Sequence, residues 1–234
     1  MLKNLSYESL ERINVDKPVH RVKFISNLCA KKIVLDIGCF DETSIDSKNN
    51  DEWLHGQIAL QANYTYGIDN SLKIPPEGIS TGNKSQIYLG DAFELPIQID
   101  LNGIQMIVCG ELIEHLENPL LFLRNLRQRY PGTTLVISTP NGCSFANGLM
   151  GTFGMEVQHQ DHLFNFTYKT LHTLFCKAGY INFQILPYKF YASEMIYKSK
   201  GLKKILARLV QAFIRFYERF FPLRSFGYIV IANG

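Results

Sequence analysis

Short apolar runs alternate with helical patterns along most of the 234-residue chain. Five of these runs have the length and composition of buried parallel strands. They are Ile33–Ile37, Tyr64–Ile68, Gln86–Gly90, Ile104–Cys109 and Thr134–Ser138. Because strands that alternate with helices form parallel sheets covered on both faces, the pattern predicts a doubly wound α/β fold.

Helix and strand signals continue toward the C-terminus. Asn118 followed by Pro119 predicts the start of one helix, and Gly179 predicts the end of another. Residues 182–186 and 228–232 are two further strand candidates, which raises the predicted total to seven. We expect a single domain over residues 1–234, with an N-terminal helical segment at residues 1–30.

Two segments interrupt the alternation. Residues 141–167 show little periodicity, which in a compact domain indicates a functional loop or lid. Residues 195–222 are predicted to form a basic amphipathic helical insertion before the last strand, with apolar positions at i, i+3 and i+4. Two interpretations of the insertion stay open. Either its apolar face packs on the sheet or on a second subunit of a homodimer, or the helix makes peripheral contact with an anionic membrane.

The positive charge of the chain is concentrated in one region. Residues 195–225 contain eight Lys and Arg residues and only one acidic residue, Glu218, whereas the whole chain has 24 Lys and Arg against 21 Asp and Glu. The remainder is therefore weakly acidic. It also lacks a helix-turn-helix pattern or a basic stripe interleaved with aromatic residues, so we expect no nucleic-acid partner.

The cysteines and the N-terminus indicate a compartment. The five cysteines form no CxxC pair, so neither a disulfide framework nor a structural zinc site is predicted. The first residues lack the apolar core of a signal peptide, and no apolar run reaches the roughly 18 residues that a membrane span needs. The prediction is a cytoplasmic protein, with peripheral contact at the inner face of a membrane if residues 195–222 act as a membrane helix.

Acidic residues and glycines follow the first four predicted strands. The segments are Asp36-Ile-Gly38, Gly67-Ile-Asp69, Gly90-Asp91 and Cys109-Gly110-Glu111. Ligands of doubly wound sheets bind at the carboxyl ends of the strands. A carboxylate at the end of the second strand can accept hydrogen bonds from both ribose hydroxyls, and a polar pair after the third strand can meet an adenine amino group. The pattern thus indicates a nucleoside-binding site.

The sequence resembles the class I S-adenosylmethionine (SAM)-dependent methyltransferases, in particular those of quinone biosynthesis and glycan modification. The resemblance rests on the order and spacing of six blocks rather than on any one of them. They are VLDIGC (34–39), YGID (66–69), GDAFELP (90–96), VCGELIEHLENP (108–119), LVISTPNG (135–142) and TLHTLFCKAGY (170–180). This resemblance implies a Rossmann-like seven-stranded sheet and SAM as the cofactor.

The resemblance also implies which residues bind that cofactor. Asp36 and Gly38, with the adjacent Cys39, would lie against the methionine portion, and Asp69 would bind the ribose with Asn70 nearby. Two further groups complete the implied set. Asp91 and Ala92 would contact adenine, while Cys109 and Glu111 would line the floor under the sulfonium. One position departs from the family, since Phe40 stands where a second loop glycine is usual, before a long polar stretch through Asn50.

A methyl acceptor needs little beyond alignment unless it is a hydroxyl, which benefits from a general base. We predict methyl transfer to a small-molecule or saccharide acceptor, with O-methylation favoured. Candidate bases follow the fourth strand or lie in the long loop: Glu111, Glu114, His115, His159, Asp161 and His162. His115 and His162 are the preferred catalytic candidates, although a structural role is an alternative for both. His159, Asp161 and His162 also have metal-ligating chemistry, but without a partner motif no metal site is predicted.

Two other functions stay open at this point. A non-catalytic SAM-fold protein that binds or regulates a partner is an alternative because Phe40 occupies the glycine loop. A nicotinamide-dependent reductase is disfavoured, since no GxGxxG phosphate loop follows the first strand. The remaining histidines, His20, His55 and His172, are interpreted as surface or helix-packing residues.

Overall fold

Eight strands form one sheet in the computed structural model, which describes residues 5, 8, 10–40, 51–94 and 103–234. The strands are β1 (Ile33–Ile37), β2 (Tyr64–Asp69), β3 (Ile79–Gly82), β4 (Ser85–Leu89), β5 (Met106–Gly110), β6 (Thr134–Pro140), β7 (Phe183–Tyr188) and β8 (Gly227–Asn233). The helices are α1 (Arg21–Leu28), α2 (Leu54–Gln61), α3 (Pro119–Arg129), α4 (Phe145–Gly151), α5 (Tyr168–Ala178), α6 (Ser193–Lys198) and α7 (Gly201–Phe220), followed by a 3-10 turn at Pro222–Arg224.

The sheet has the order β3-β4-β2-β1-β5-β6-β8-β7. Strands β4, β2, β1, β5 and β6 pair in parallel, while β8 runs antiparallel to both of its neighbours. The chain moves outward from β1 to β2 and β4, and then returns to place β5 on the other side of β1. The strand order therefore reverses between β1 and β5, and a crevice for a ligand is expected there.

Side chains of the strands point alternately into two cores, as the pleat requires. Leu35 of β1 belongs to the same core cluster as Phe122 of α3. The preceding residue, Val34, belongs to a second cluster with Ile58 of α2. Helices α3 and α5 thus cover one face, and α1 and α2 cover the other. The doubly wound prediction is confirmed.

The strand count differs from the predicted seven because β3 is an additional strand. It pairs antiparallel with β4 across a two-residue turn, at the edge of the sheet. The strand is short and mostly polar, with the sequence Ile-Ser-Thr-Gly, and it follows two prolines and Gly78. A short strand at the edge of a sheet is not buried among other strands, so it lacks the run of apolar residues by which a buried strand is recognised.

Two other segments differ from expectation. The long loop at residues 141–167 contains helix α4, which Ser144 begins by accepting a hydrogen bond from the Asn147 amide. Gly148 and Gly151 weaken the helical pattern there, so the sequence does not announce it. Of the described residues within the expected N-terminal helical segment, only Arg21–Leu28 is helical. Pro18 and a bridge from Val19 to Tyr188 hold the preceding chain extended. The single-domain expectation stays a prediction.

The insertion at residues 195–222 is helical, as predicted, but it consists of two helices that meet at Ser199–Lys200. Ile214 packs against Ala146 and Phe190, but most large apolar residues of the insertion are exposed. The interpretation that the apolar face of the insertion packs on the sheet is therefore wrong, and packing on a second subunit stays a prediction. Leu202 is 84% exposed and Phe216 is 64% exposed. Within the described ranges, no helix combines the length and the hydropathy needed to cross a bilayer.

Candidate active site

A cavity of about 1130 Å³ opens at the carboxyl ends of β1, β2 and β5, where the strand order reverses. It is large enough for a ligand of nucleoside-cofactor size. Six acidic and two basic side chains line the described part of its wall. They are Asp36, Glu52, Asp69, Glu111, Glu114, Asp161, Arg21 and Lys73.

The structure brings most of the predicted site residues to this cavity. Those that line it are Asp36, Gly38, Cys39, Asp69, Asn70, Glu111, His115 and His162. Asp91, Ala92 and Cys109 are not among the lining residues. Asp91 is exposed and accepts a hydrogen bond from the Phe93 amide (2.7 Å), while Cys109 is fully buried in the core. A cofactor role for these three residues stays a prediction.

On the side of the cavity formed by β1 and β2, which we call the β2 side, polar groups are well partnered. The Asp69 carboxylate accepts hydrogen bonds from the Phe40 amide (2.9 Å) and the Ser71 amide (3.0 Å). Burial raises the pKa of Asp69, and these amides oppose the rise. Gly38 has φ +72°, and a Cβ there would come 2.8 Å from the Leu112 side chain. The backbone at the end of β1 is therefore shaped by a glycine that no larger residue can replace without strain.

Asp36 is fixed by a buried histidine that sequence reasoning missed. His55 Nδ1 lies 2.9 Å from Asp36 Oδ2, and His55 Nε2 lies 2.9 Å from the Ser85 hydroxyl. His55 is only 1% exposed and also lines the cavity. The weakly amphipathic helix α2 offers no sign that this residue faces a strand-end carboxylate 19 positions earlier. Asp36 is thus held in place rather than free to move with a ligand.

The opposite side, which we call the β5 side, begins with Glu111. This residue has a left-handed backbone (φ +56°), which is uncommon for a non-glycine residue and occurs often at functional sites. Its carboxylate accepts hydrogen bonds from the hydroxyls of Tyr188 (2.7 Å) and Tyr191 (2.9 Å). Arg21 Nη2 lies 3.5 Å away, and the guanidinium is 5.4 Å from the Tyr191 ring centroid. Arg21 and the tyrosines come from distant parts of the chain, so no local motif reveals them.

Glu114 differs from the other carboxylates of the cavity. It is 1% exposed, and neither carboxylate oxygen has a hydrogen-bond partner among the described residues. Burial, reinforced by the negative charge of Glu111, raises the pKa of Glu114 to about 8. Such a group readily takes up a proton near neutral pH, because burial disfavours its ionised form.

Two histidines stand next to Glu114. The rings of His115 and His162 are 4.6 Å apart and nearly perpendicular. His115 Nδ1 lies 3.2 Å from the Asp161 carbonyl oxygen, so this nitrogen is a donor. His162 Nδ1 lies 3.1 Å from Gln158 Oε1, and burial lowers the pKa of His162. The lowered pKa favours the neutral form of the His162 ring, and both histidines line the cavity.

The same three residues also have the spacing of metal ligands. One ligand atom each from Glu114, His115 and His162 lie within 4.8 Å of one another. This set differs from the His159, Asp161 and His162 set considered from the sequence, in which the His159 and Asp161 side chains are mostly exposed. A cation held there would be bound by the Glu114 carboxylate and would compete with a proton for it.

Phe40 does not fill the cavity. Its side chain packs against a small cluster that contains Ile74 and Ile87, while its amide donates a hydrogen bond to Asp69. The cavity keeps its volume with Phe40 as one of its lining residues. The polar stretch that follows Phe40 through Asn50 lies outside the described residues. The shaped backbone at Gly38, the acid-rich wall and the carboxylate at the end of β2 fit a cationic nucleoside cofactor.

Comparisons with known proteins agree with this arrangement. A family model described as a methyltransferase domain matches residues 10–185. No curated protein gives a significant match. Among solved structures, a SAM-dependent methyltransferase from Archaeoglobus fulgidus is 18% identical, with a TM-score of 0.50 over 91% of this chain and 90% of that one. A SAM-dependent methyltransferase from Mesorhizobium loti is 15% identical, with a TM-score of 0.53 over 92% and 96% of the chains.

A third similar structure contains ligands. Phosphoethanolamine N-methyltransferase 2 of Haemonchus contortus, in complex with phosphomonomethylethanolamine and S-adenosylhomocysteine, is 11% identical. Its TM-score is 0.53 over 91% of this chain and 52% of that one. At these identities the similarities show a shared fold. The predicted methyltransferase-type fold and the prediction of an enzyme are confirmed, whereas the quinone and glycan subgroup stays a prediction.

Proposed function

This chain belongs to the methyltransferase domain family, and from that premise we propose that it transfers a methyl group from SAM to a hydroxyl oxygen of a small molecule or saccharide. The observation that carries the proposal is Glu114, a buried carboxylate without a hydrogen-bond partner, which lies beside two histidines on the β5 side of an acid-lined cavity. When bound, SAM supplies an electrophilic methyl group, whose bond to sulfur breaks as the acceptor oxygen bonds to carbon.

The cofactor half of the proposal rests on charge and shape. Acidic residues outnumber basic ones on the cavity wall, which favours a sulfonium cation. Asp69 retains free lone pairs for ribose hydroxyls, because each of its oxygens accepts one backbone hydrogen bond and a carboxylate oxygen can accept two. Arg21 is the buried cation on the wall, and its Nε has no hydrogen-bond partner among the described residues. It is suited to bind the carboxylate of the methionine portion.

The oxygen acceptor is inferred from the need for a base. A hydroxyl must lose its proton as the bond from oxygen to carbon forms, and a neutral amine or a carboxylate has no such need before attack. Glu114 takes that proton in its ionised form. Because its pKa is raised to about 8, that form becomes more populated as the pH rises toward 8, and methyl transfer should increase with it. His115 and His162 then orient the acceptor or pass the proton toward the cavity mouth.

The proposal is tested in two stages with the full chain. Calorimetric titration with SAM, S-adenosylhomocysteine and NADH should show micromolar binding of the first two and none of the third. Transfer of a labelled methyl group is then measured with hydroxyl-bearing saccharides and phenols, and with amines as the comparison set. Transfer to the hydroxyl acceptors is expected.

Three results would contradict parts of this scheme separately. Absence of SAM binding rejects the cofactor, and binding with transfer only to amines rejects the oxygen acceptor. Loss of transfer after treatment with a chelator, restored by added Mg²⁺ or Mn²⁺, would replace Glu114 as a free base with a cation held by Glu114, His115 and His162.

A further inference from the structure

Helix α7 is held on the protein along one face. Ala207, Ile214 and Glu218 are its buried residues. Glu218 accepts a hydrogen bond from the Phe190 amide (2.9 Å), and Arg215 Nε donates to the Phe190 carbonyl oxygen (2.7 Å). These bonds fix the rotation of the helix about its axis. The residues on the opposite face are therefore held facing away from the protein.

That outer face is a continuous apolar stripe. Its large side chains are spaced four and three residues apart, so that each lies next to the following one on the helix surface. They are Leu202, Leu206, Leu209, Phe213, Phe216 and Phe220, and each is more than half exposed. Ile205 and Phe221, at 55% and 53% exposed, extend the stripe. An apolar patch of this size on a folded surface marks a site of interaction.

The charges around the stripe are of one sign. Lys203, Arg208 and Arg219 are exposed, and Lys204 is partly exposed. The one acidic residue of α7 is Glu218, which is buried against Phe190. The exposed charged side chains of α7 are thus all cationic, and they lie beside large exposed apolar side chains.

We propose that α7 lies in the plane of a membrane surface that contains anionic lipid. The apolar stripe would enter the boundary between headgroups and acyl chains, and the flanking Lys and Arg side chains would contact lipid phosphates. A second copy of the chain is a poorer occupant. Two α7 helices joined along this stripe would bring their cationic flanks together with no exposed carboxylate on either helix to offset them.

Helix α7 is linked by a hydrogen bond to the segment that forms one wall of the cavity. Gln211 of α7 accepts a hydrogen bond from the Ala192 amide (2.7 Å). The neighbouring Tyr191 lines the cavity and holds Glu111. A membrane-bound α7 would therefore place one wall of the cavity near the lipid surface.

Vesicle flotation of the full chain tests the proposal without any measurement of methyl transfer, so its outcome is independent of the proposed activity. Vesicles of phosphatidylcholine alone are compared with vesicles in which about 30% of the lipid is anionic phosphatidylglycerol. Anionic lipid at a membrane surface attracts Lys- and Arg-rich segments. The triple variant Leu206→Gln, Phe213→Gln, Phe216→Gln removes the centre of the stripe. The matched control, Leu60→Gln with Ile181→Gln, removes exposed apolar residues (76% and 83% exposed) elsewhere on the surface.

We expect the wild-type chain and the control to float with anionic vesicles and to bind them at least about tenfold more tightly than neutral ones. The triple variant should lose this binding while retaining its circular dichroism spectrum. Replacement of Lys203 and Arg208 by Gln should weaken anionic binding by about fivefold per charge. Failure of the wild type to float, or equal flotation of the triple variant, overturns the proposal. A wild-type dimer that the triple variant converts to a monomer would assign the stripe to a second copy.

Discussion

The carboxylates on the two sides of the cavity differ in the hydrogen bonds that they accept. On the β2 side, Asp69 is held by two backbone amides and Asp36 by His55. On the β5 side, Glu111 is held by two tyrosine hydroxyls, but the adjacent Glu114 has no hydrogen-bond partner in the part of the chain that the structure describes. The carboxylates of the β2 side are therefore held in place by hydrogen bonds, whereas the β5 side contains a carboxyl group, Glu114, that can gain or lose a proton near neutral pH.

This difference separates binding from chemistry. A carboxylate whose hydrogen bonds are already formed keeps its position and charge, which suits recognition of a cofactor. A buried carboxylate without partners is costly to keep ionised, and it is retained where proton transfer makes use of it. The contrast predicts that substitutions on the two sides will affect different steps.

The largest effect is expected on the β5 side. Glu114→Gln removes the proposed base while preserving its size, so kcat should fall by roughly 10²–10⁴-fold with little change in the dissociation constant of SAM. The control is Glu117→Gln, an exposed glutamate three residues later, which should leave kcat unchanged. Steady-state kinetics and calorimetry together make the measurement. Equal losses in both variants would remove Glu114 from the chemistry.

The next effect is expected on the β2 side, in binding. Asp69→Ala removes the hydrogen bonds proposed for the ribose hydroxyls and should weaken SAM binding by about 100-fold or more. Asp91→Ala serves as the comparison, because Asp91 is exposed and outside the cavity lining. Calorimetry should show a change of less than about threefold for Asp91→Ala. Comparable losses in the two variants would place adenine near Asp91, as the family resemblance implies.

A third prediction concerns His55, which holds Asp36 in place on the β2 side. His55→Ala leaves the buried Asp36 without its partner and should lower the free energy of unfolding by about 3 kcal/mol. His55→Asn can still donate to Asp36 and should lose about half as much. Urea denaturation measures both. If the two variants are equally stable, the hydrogen bond to Asp36 contributes little and packing of the imidazole accounts for the loss.

The last prediction is a pH dependence of stability. The folded chain raises the pKa of Glu114 from 4.5 to about 8, so the folded state prefers the protonated carboxyl. The contribution of Glu114 to stability is thus full below pH 4.5 and is lost as the pH rises toward 8. Relative to the wild type without cofactor, Glu114→Gln should gain about 10 °C in Tm between pH 5 and pH 8.5. A difference that is the same at every pH would show that Glu114 does not titrate in this range.

Local sequence patterns predicted the β2 side better than the β5 side. Asp36 and Asp69 lie at the carboxyl ends of apolar strands and Gly38 directly follows one, so strand-end position alone locates them at the cavity. Asp91 follows a strand in the same way, but its carboxylate turns back to the Phe93 amide, and a turn of that kind leaves no mark in the spacing.

The residues that sequence reasoning missed reach the site through long-range packing. Arg21 meets Glu111 from a helix before the first strand, and Tyr188 meets it 77 positions later in the chain. Neither contact has a local period that could reveal it. Likewise, a hydrophobic period on α7 predicts a helix with one apolar face, but it does not say whether protein covers that face.

The position of β8 has a consequence for the order in which the chain folds. Strand β8, at Gly227–Asn233, lies between β6 and β7. As the ribosome releases the chain, β7 emerges with only the isolated bridge to Val19 available to it, and both α6 and α7 follow before its strand partner β8 appears. Tyr188 at the end of β7 can dock beside Glu111 only after that. The nascent chain therefore carries an unfinished sheet edge and the apolar stripe of α7 together, and this interval is when aggregation is most probable during synthesis.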